Sequence, residues 1–221
     1  TSGSSQELHS TDGENLAKKG DVVVVSINHR LNITGFLDMS AYGDKYRTSA
    51  NNSVLDMKAA LEWVKANIAA FGGDASNVTI FGQSGGGAKV NTLMAMPSAK
   101  GLFHKAINQS GAFRSNMLDK KTTQSIAAEV LKVLNIAPAQ ADSLQKIPFA
   151  QLAAAGKKAL AVVAAQLKAA GKPVGAFGLS WGPSLDGEVL PYQISSPEAL
   201  ALSKDIPLMI GTVKNEFMPS L

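Results

Sequence analysis

The pattern of apolar and polar positions predicts four strands along the chain. The first run, "DVVVVSIN" (21–28), is rich in β-branched residues and lacks polar alternation. That pattern is typical of a strand buried on both faces of a parallel sheet. The other three predicted strands are "NVTIFG", "HKAINQSG" and "IPLMIGT".

Segments with apolar residues at helical spacing separate these strands. One begins at Ser53 and ends at the pair Gly72-Gly73. Further helices are predicted at "GGAKVNTLMAMP", Thr122–Leu134 and Phe149–Ala170, and a turn at "DGEVLP". The alternation predicts an α/β fold with a doubly wound, mostly parallel sheet and helices on both faces. We expect residues 1–221 to be a single, partial domain, with a helical excursion at about 114–172 over the C-terminal edge of the sheet.

Composition excludes several classes of partner and chemistry. The net charge of +4 is spread along the chain rather than gathered in a stripe, so nucleic acid is not an expected partner. The chain has no Cys, which excludes disulfides and a cysteine nucleophile and leaves the compartment open. Neither a signal peptide nor an apolar run of membrane-spanning length is recognisable, so a membrane is not an expected partner.

Ser84 is the candidate nucleophile, because Gly82-Gln83-Ser84-Gly85-Gly86 has the pattern G-x-S-x-G between a predicted strand and a predicted helix. On such a turn, side chains at positions 82 and 86 would collide with the neighbouring strand and helix. The backbone N–H of Gly85, at the start of the helix, would donate to a developing oxyanion. The alternative is a phosphate-binding glycine loop, but that requires G-x-G-x-x-G, and Gln83-Ser84 disrupts it.

Three longer segments of the chain follow one another in a fixed order: "NHRLNITGF", "LDMKAALEWVKANIAAFGGD" and "NVTIFGQSGGGAKV". In their residues, order and spacing they resemble the type-B carboxylesterase and cholinesterase family. The match continues through "MPSAKGLFHKAINQSGA", "SLDGEVLP" and "IPLMIGTVKNEF". Four positions depart from it: Met57, Ala75, Gln83 and Gly85 stand where Gln, Pro, Glu and Ala are usual. The resemblance implies an α/β-hydrolase fold and a serine esterase that acts on small-molecule esters without a metal or an organic cofactor.

A serine hydrolase also needs a carboxylate that orients its histidine. Asp205 precedes the last predicted strand, at the wrong end for this role, whereas Asp186 and Glu188 belong to a turn that explains them. Glu216 follows that strand. The resemblance aligns "GTVKNEF" with a family segment whose Glu is the triad acid, so Glu216 is the candidate acid.

The resemblance also implies supporting roles for other residues. Ser110 is not a second nucleophile, since Asn108 stands where glycine is needed, and the family pattern implies that its hydroxyl supports the triad carboxylate. Gln83 lies beside the nucleophile and would alter the local charge. Arg30 and Asp56 would form a structural ion pair rather than a part of the catalytic site.

The general base is the missing component. The chain has three histidines, and none follows Glu216, although the order on this fold is serine, acid, histidine. His9 lies in the N-terminal loop, His29 follows the first strand, and His104 precedes another strand. The resemblance implies that the glycine-rich loop that supplies the second oxyanion donor would directly precede the first residue. We therefore expect the 221 residues to be the middle of a longer esterase. Its other segments would complete the site, and the isolated fragment would be inactive.

Two alternatives remain open from the sequence. One is a catalytically silent relative used for adhesion or binding, a class that typically loses the nucleophile or its neighbours, whereas Ser84 and both glycines are present here. The other keeps the acyl-enzyme chemistry but acts on an amide, a lactone or a thioester.

Overall fold

The computed structural model describes residues 13–111, 116–175 and 178–216. It divides into two compact units. The first contains the described residues of Thr1–His29, Val54–Asn116 and Val189–Leu221, and the second contains those of Arg30–Ser53 and Met117–Glu188. The expectation of a single domain stays a prediction.

The described residues contain α-helices, short 3-10 helices and strands in alternation. The α-helices are α1 (Glu14–Gly20), α2 (Asn32–Phe36), α3 (Asn52–Asn67), α4 (Gly85–Met94), α5 (Lys120–Val133), α6 (Phe149–Ala169) and α7 (Pro197–Leu202). The 3-10 helices are Ser40–Tyr42, Asp44–Tyr46, Ser49–Asn51, Ile68–Phe71, Pro97–Ala99 and Pro138–Lys146. The strands are β1 (Thr79–Gln83), β2 (Lys105–Gln109), β3 (Leu118–Asp119), β4 (Ser184–Leu185) and β5 (Leu208–Gly211). In this part of the chain no helix has the length and hydrophobicity needed to cross a bilayer.

The first unit is built on a parallel sheet in the order β1-β2-β5. Gln83 pairs with Gln109, and Gln109 pairs with Gly211, so the three strands end side by side. Because all three strands are parallel, the residues that follow them emerge at one edge, here named the carboxyl edge.

The two faces of this sheet differ in burial. Ile80, Ala106 and Asn108 are buried on the face where α4 packs. On the opposite face, Phe81 pairs with Ile107 and Ile107 with Met209, and the side chains of Phe81 and Met209 are 52% and 68% exposed. The apolar pattern of these strands therefore suits a sheet covered on both faces, whereas the described residues cover mainly one.

The long helix α3 confirms the prediction of a helix that begins near Ser53. Its residues Val54, Met57, Leu61 and Val64 are buried, as expected for apolar positions at helical spacing. The helix tightens into the 3-10 turn Ile68–Phe71, and the chain leaves it through Gly72 at φ 81°. That left-handed conformation costs glycine little, which explains why the helix ends there.

The second unit packs α5 and α6 around a core that includes Ile126, Val130 and Val163. Asp119 caps α5 by accepting a hydrogen bond from Thr122 N at 2.8 Å. Asp38 is buried, and its carboxylate accepts from the Thr123 hydroxyl at 2.6 Å and from Ser40 N at 3.0 Å. Buried polar groups of this kind are stable only when they are hydrogen-bonded, and these are.

The prediction that "DVVVVSIN" forms a buried strand is wrong for the described residues. Residues 22–28 belong to neither sheet of the described chain, and Val22, Val23, Val25 and Ile27 are 48%, 42%, 40% and 37% exposed. A run of β-branched residues favours a strand only where neighbouring strands pair with it and other elements cover its side chains. The strand assignments at β1, β2 and β5 are confirmed. So are the helices α4, α5 and α6, to within a few residues at their ends.

Candidate active site at the carboxyl edge of the sheet

Ser84 lies between β1 and α4 in a backbone conformation that is unusual for serine. Its φ is 54° and its ψ is −119°, and it occupies the position immediately before the first residue of α4. A residue other than glycine in such a conformation costs on the order of 1–3 kcal/mol, which the surrounding hydrogen bonds must offset. Two backbone bonds hold it: Ser84 N donates to Gln109 O at 2.8 Å, and Ala88 N donates to Ser84 O at 3.1 Å.

The hydroxyl of Ser84 is not used to cap the helix. Serine before the first turn of a helix usually accepts a hydrogen bond from a backbone N–H of that turn, but Ser84 makes no such bond. The residue that follows it also has an unused donor: as the first residue of α4, Gly85 has a backbone N–H without an intrahelical acceptor. A hydroxyl and a free N–H therefore lie next to each other at the positive end of the helix dipole.

The steric role predicted for the flanking glycines holds at Gly82 and is wrong at Gly86. A Cβ on Gly82 would lie 2.4 Å from the carbonyl carbon and 2.6 Å from the carbonyl oxygen of Gly86. A Cβ on Gly86 would meet nothing within 4 Å among the described residues. Only the first glycine is needed for the close approach, because the side of Gly86 that faces Gly82 is its backbone.

Ser110 and Glu216 lie at the same carboxyl edge as Ser84. Ser84 follows Gln83 of β1, and Ser110 follows the paired residue Gln109 of β2. Glu216 lies five residues beyond the last residue of β5, which is the next strand of the sheet. With about 4.8 Å between neighbouring strands, β1 and β5 are roughly 10 Å apart, and Ser110 lies between them.

Ser110 shares the positive φ of Ser84 although the glycine two positions before it is replaced by Asn108. Its φ is 52°, and its N–H donates to Gly211 O at 2.8 Å. Asn108 itself is buried, and its amide bonds to Gly87, Asn91 and Gly111. The sequence analysis did not predict a role for this amide. It used Asn108 only as the reason why Ser110 is not a nucleophile.

The carboxylate of Glu216 turns back onto its own loop. Its Oε1 accepts a hydrogen bond from Val213 N at 2.9 Å, and the residue has a φ of 37°. The side chain is exposed within the described part of the chain. One carboxylate oxygen is thus held by the loop, and the other is left for a second donor.

Two further polar side chains belong to the elements on either side of the Ser84 turn. Gln83 is exposed at the end of β1, where a glutamate would have placed a negative charge. Lys89 is half-buried in α4, and burial lowers the pKa of its ammonium. Because desolvation disfavours a charged group, the half-buried ammonium of Lys89 lowers the stability of the folded state, which a neutral side chain at the same position would not do.

His104 has a structural role in the first unit. Its Nδ1 accepts a hydrogen bond from Val78 N at 3.1 Å, at the point where β1 and β2 begin. With β2 five residues long, the opposite edge of the sheet is about 16 Å away. His104 is therefore not the base for Ser84. In the chain, His29 is the residue before Arg30, where the second unit begins. His9 lies outside the described residues.

The ion pair predicted between Arg30 and Asp56 stays a prediction. Arg30 belongs to the second unit and is exposed, whereas Asp56 belongs to the first unit and is half-buried in α3. As for metals, the described ranges hold no group of three or more His, Cys, Asp or Glu side chains placed to bind one.

Comparisons with known proteins point to one family. The pattern of the family described as "Carboxylesterase family" matches residues 1–221. The para-nitrobenzyl esterase of Bacillus subtilis (strain 168) is 43% identical over 205 residues, which is 93% of this chain and 39% of that protein.

Solved structures agree with this similarity. An esterase from anaerobic Clostridium hathewayi, described as able to hydrolyse aliphatic aromatic polyesters, superposes with a TM-score of 0.79 at 42% identity, over 99% of this chain and 42% of that one. A carboxylesterase from Geobacillus stearothermophilus gives a TM-score of 0.78 at 38% identity, over 94% of this chain and 40% of that one. The α/β-hydrolase fold predicted from the sequence is thereby confirmed as a partial domain, and the chain spans about two fifths of the length of these relatives.

Proposed function

The chain belongs to the carboxylesterase family, and we propose that the complete protein is a serine hydrolase of carboxylic esters in which Ser84 is the nucleophile. The single observation that carries the proposal is the backbone of Ser84. A serine at φ 54° and ψ −119°, at the start of a helix and with its hydroxyl free of capping, matches the geometry that a nucleophile on a strand-to-helix turn requires.

The reaction proceeds in two halves. The Ser84 oxygen attacks the ester carbonyl while its proton passes to a general base, and the tetrahedral oxyanion accepts a hydrogen bond from Gly85 N–H. The intermediate collapses, the base returns the proton to the departing alcohol, and the acyl group stays on Ser84. Water then attacks the acyl-enzyme by the same route and releases the carboxylic acid.

In this proposal the general base is a histidine from outside the described residues. His104 is excluded by its position at the opposite edge of the sheet and by its bond to Val78 N. Segments that the relatives have and this chain does not cover provide room for both the histidine and a second oxyanion donor, since the chain spans 39% of the Bacillus subtilis esterase. Glu216 would hold the histidine through the carboxylate oxygen that its own loop leaves unused.

Ser110 is proposed to support Glu216, because it lies on the strand between β1 and β5. Its side chain makes no hydrogen bond to another described residue, so the hydroxyl is available as a donor to a carboxylate. Gln83 keeps the turn neutral where a glutamate would add charge, and it has no direct part in the reaction.

Active-site labelling tests the proposal. The complete protein is treated with a fluorophosphonate, which phosphonylates only an activated serine, and the modified peptide is mapped by mass spectrometry. We expect the label on Ser84, its loss in Ser84→Ala, and its retention in the matched control Ser98→Ala, whose serine is exposed on a 3-10 turn. Labelling of Ser110 would reassign the nucleophile. No labelling of any serine would favour the catalytically silent alternative.

The same preparation addresses the bond that is cleaved. Turnover of a short-chain aryl ester is compared with turnover of the corresponding amide, lactone and thioester at equal concentration. We expect the ester to be preferred, with every activity lost together in Ser84→Ala. A higher kcat/KM for the amide or the lactone would keep Ser84 as nucleophile and change the substrate class.

A further inference from the structure

Asn108 is completely buried at the carboxyl edge, two residues before Ser110. Its Nδ2 donates to Gly87 O at 3.1 Å and to Asn91 Oδ1 at 2.8 Å, and its Oδ1 accepts from Gly111 N at 2.9 Å. Both amide hydrogens and one acceptor site are therefore used. A side chain so fully paired specifies one arrangement of the groups around it, because any displacement leaves buried polar atoms without partners.

The groups that this amide joins belong to the two serine turns. Gly87 is in the first turn of α4, three residues after Ser84, and Asn91 is one turn further along the same helix. Gly111 directly follows Ser110. Asn108 thus ties the helix that follows Ser84 to the turn that contains Ser110, and its side-chain hydrogen bonds go to neither serine.

The backbones of the two turns are in direct contact at this point. A Cβ on Gly87 would lie 2.8 Å from the Gly111 Cα, and a Cβ on Gly111 would lie 2.4 Å from the Gly87 Cα. Either glycine's Cβ would also lie within 2.5 Å of the Asn108 Oδ1. The two glycines allow the approach, and the amide of Asn108 sets its distance and register.

We propose that Asn108 is a positioning residue for the acylation of Ser84. It sets where α4 begins relative to β2, and with that the place of the Ser84 hydroxyl and the Gly85 N–H relative to Ser110 and Glu216. The inference rests on the proposed function. Since Asn108 is completely buried and its side-chain bonds go to Gly87, Asn91 and Gly111, we expect its loss to lower the rate of the chemical step and leave substrate binding unchanged.

The first test replaces Asn108 by aspartate in the complete protein. Asn108→Asp has the same shape and still accepts from Gly111 N, but its carboxylate does not donate to Gly87 O and faces the Asn91 oxygen. We expect the first-order rate constant for fluorophosphonate labelling of Ser84, and kcat for an aryl ester, to fall about 10- to 100-fold. KM and the inhibition constant should stay within about twofold of the parent values.

A second pair of variants does not depend on the folding of Asn108→Asp. Asn91→Asp keeps an acceptor for the Asn108 amide and should label at the parent rate, whereas Asn91→Leu removes that acceptor and should label more slowly. The matched control is Asn67→Asp, which also loses an amide donor to a backbone carbonyl, that of Trp63, but at the end of α3 rather than in α4 or β2. It should label at the parent rate.

The outcomes separate the two proposals. If the parent protein labels at Ser84 and both Asn108→Asp and Asn91→Leu label as fast once corrected for folded protein, the positioning role is overturned and the proposed function stands. A rise in KM equal to the fall in kcat/KM would likewise overturn it, since it would show lost binding rather than lost positioning. If the parent protein does not label at Ser84, the proposed function fails and this inference fails with it.

Discussion

The backbone of Gly82 lies against the backbone of Gly86, so that a methyl group on Gly82 would come within 2.4 Å of the Gly86 carbonyl carbon. The two glycines of the Ser84 turn therefore have different roles. Gly82 allows β1 and α4 to approach each other closely, and Gly86 provides the atoms that are approached. Without that approach, Ser84 would not be held at a positive φ between the strand and the helix.

This asymmetry predicts opposite results for two alanine substitutions. Gly82→Ala should destabilise the fold by about 1–3 kcal/mol, since the added methyl forces the strand and helix apart. Gly86→Ala should be neutral or stabilising by up to about 1 kcal/mol, because its methyl would meet no described residue within 4 Å and alanine has a higher helix propensity than glycine. Urea unfolding of both variants checks this. Equal destabilisation by the two would contradict the difference between the sites.

Ser84→Ala should lower hydrolysis of a short-chain aryl ester by three or more orders of magnitude, judged from removal of nucleophiles in other serine hydrolases. The substitution deletes the attacking oxygen and leaves the Gly85 N–H in place, so substrate binding should persist. Steady-state kinetics with the complete protein measures the rate of hydrolysis, and equilibrium binding of the ester to Ser84→Ala measures substrate binding. Turnover near that of the parent protein would exclude Ser84 as the nucleophile.

Lys89→Met should stabilise the fold at neutral pH. Burial lowers the pKa of Lys89 in the folded state, whereas the unfolded chain keeps the ordinary value. Between the two values the unfolded state binds more protons, so the stability of the parent protein rises with pH through that window. The methionine variant lacks this dependence, and its advantage should shrink as the pH rises toward the ordinary lysine pKa.

Thermal unfolding of Lys89→Met across neutral to alkaline pH provides the measurement. Lys65→Met, at an exposed position of α3, is the matched control. Its difference in stability from the parent protein should not change with pH in this way. A Lys89→Met protein that is less stable than the parent at neutral pH would mean that the ammonium has a favourable partner, and would exclude desolvation as the dominant effect.

His104→Ala should affect stability and spare catalysis. The variant loses the acceptor for Val78 N, which is worth about 0.5–1.5 kcal/mol for a partly buried bond. The reactive edge is unchanged, because His104 is at the other end of β2. Turnover per folded molecule should match the parent protein. A specific loss of kcat, with its dependence on pH altered, would return His104 to the list of candidate bases.

Local sequence determined much of the candidate site. The order of residues from 82 to 86, between an apolar run and a helical pattern, was sufficient to predict the strand, the turn and the helix around Ser84. The apolar run "IPLMIGT" was sufficient to place Glu216 beyond a strand end. These features are local, since strand and helix periodicity and the conformational freedom of glycine depend on near neighbours in the chain.

Other features depended on contacts that the sequence does not display. The amide of Asn108 bonds to residues from 3 to 21 positions away in the chain, and no periodicity predicts which of them it meets. The open space beside Gly86 and the difference between the two faces of the sheet are also properties of packing. For "DVVVVSIN" the local pattern predicted a buried strand, and the described fold leaves Val22, Val23 and Val25 exposed.

The division has a physical cause. Whether a residue favours a strand, a turn or a helix is decided largely by its own backbone and side-chain sterics, so the sequence alone determined where Ser84 lies and what kind of turn carries it. The distance between that turn and the next is decided by parallel pairing of β1 with β2 and by one buried amide. Both require residues distant in the chain to meet, and only the tertiary structure decides that.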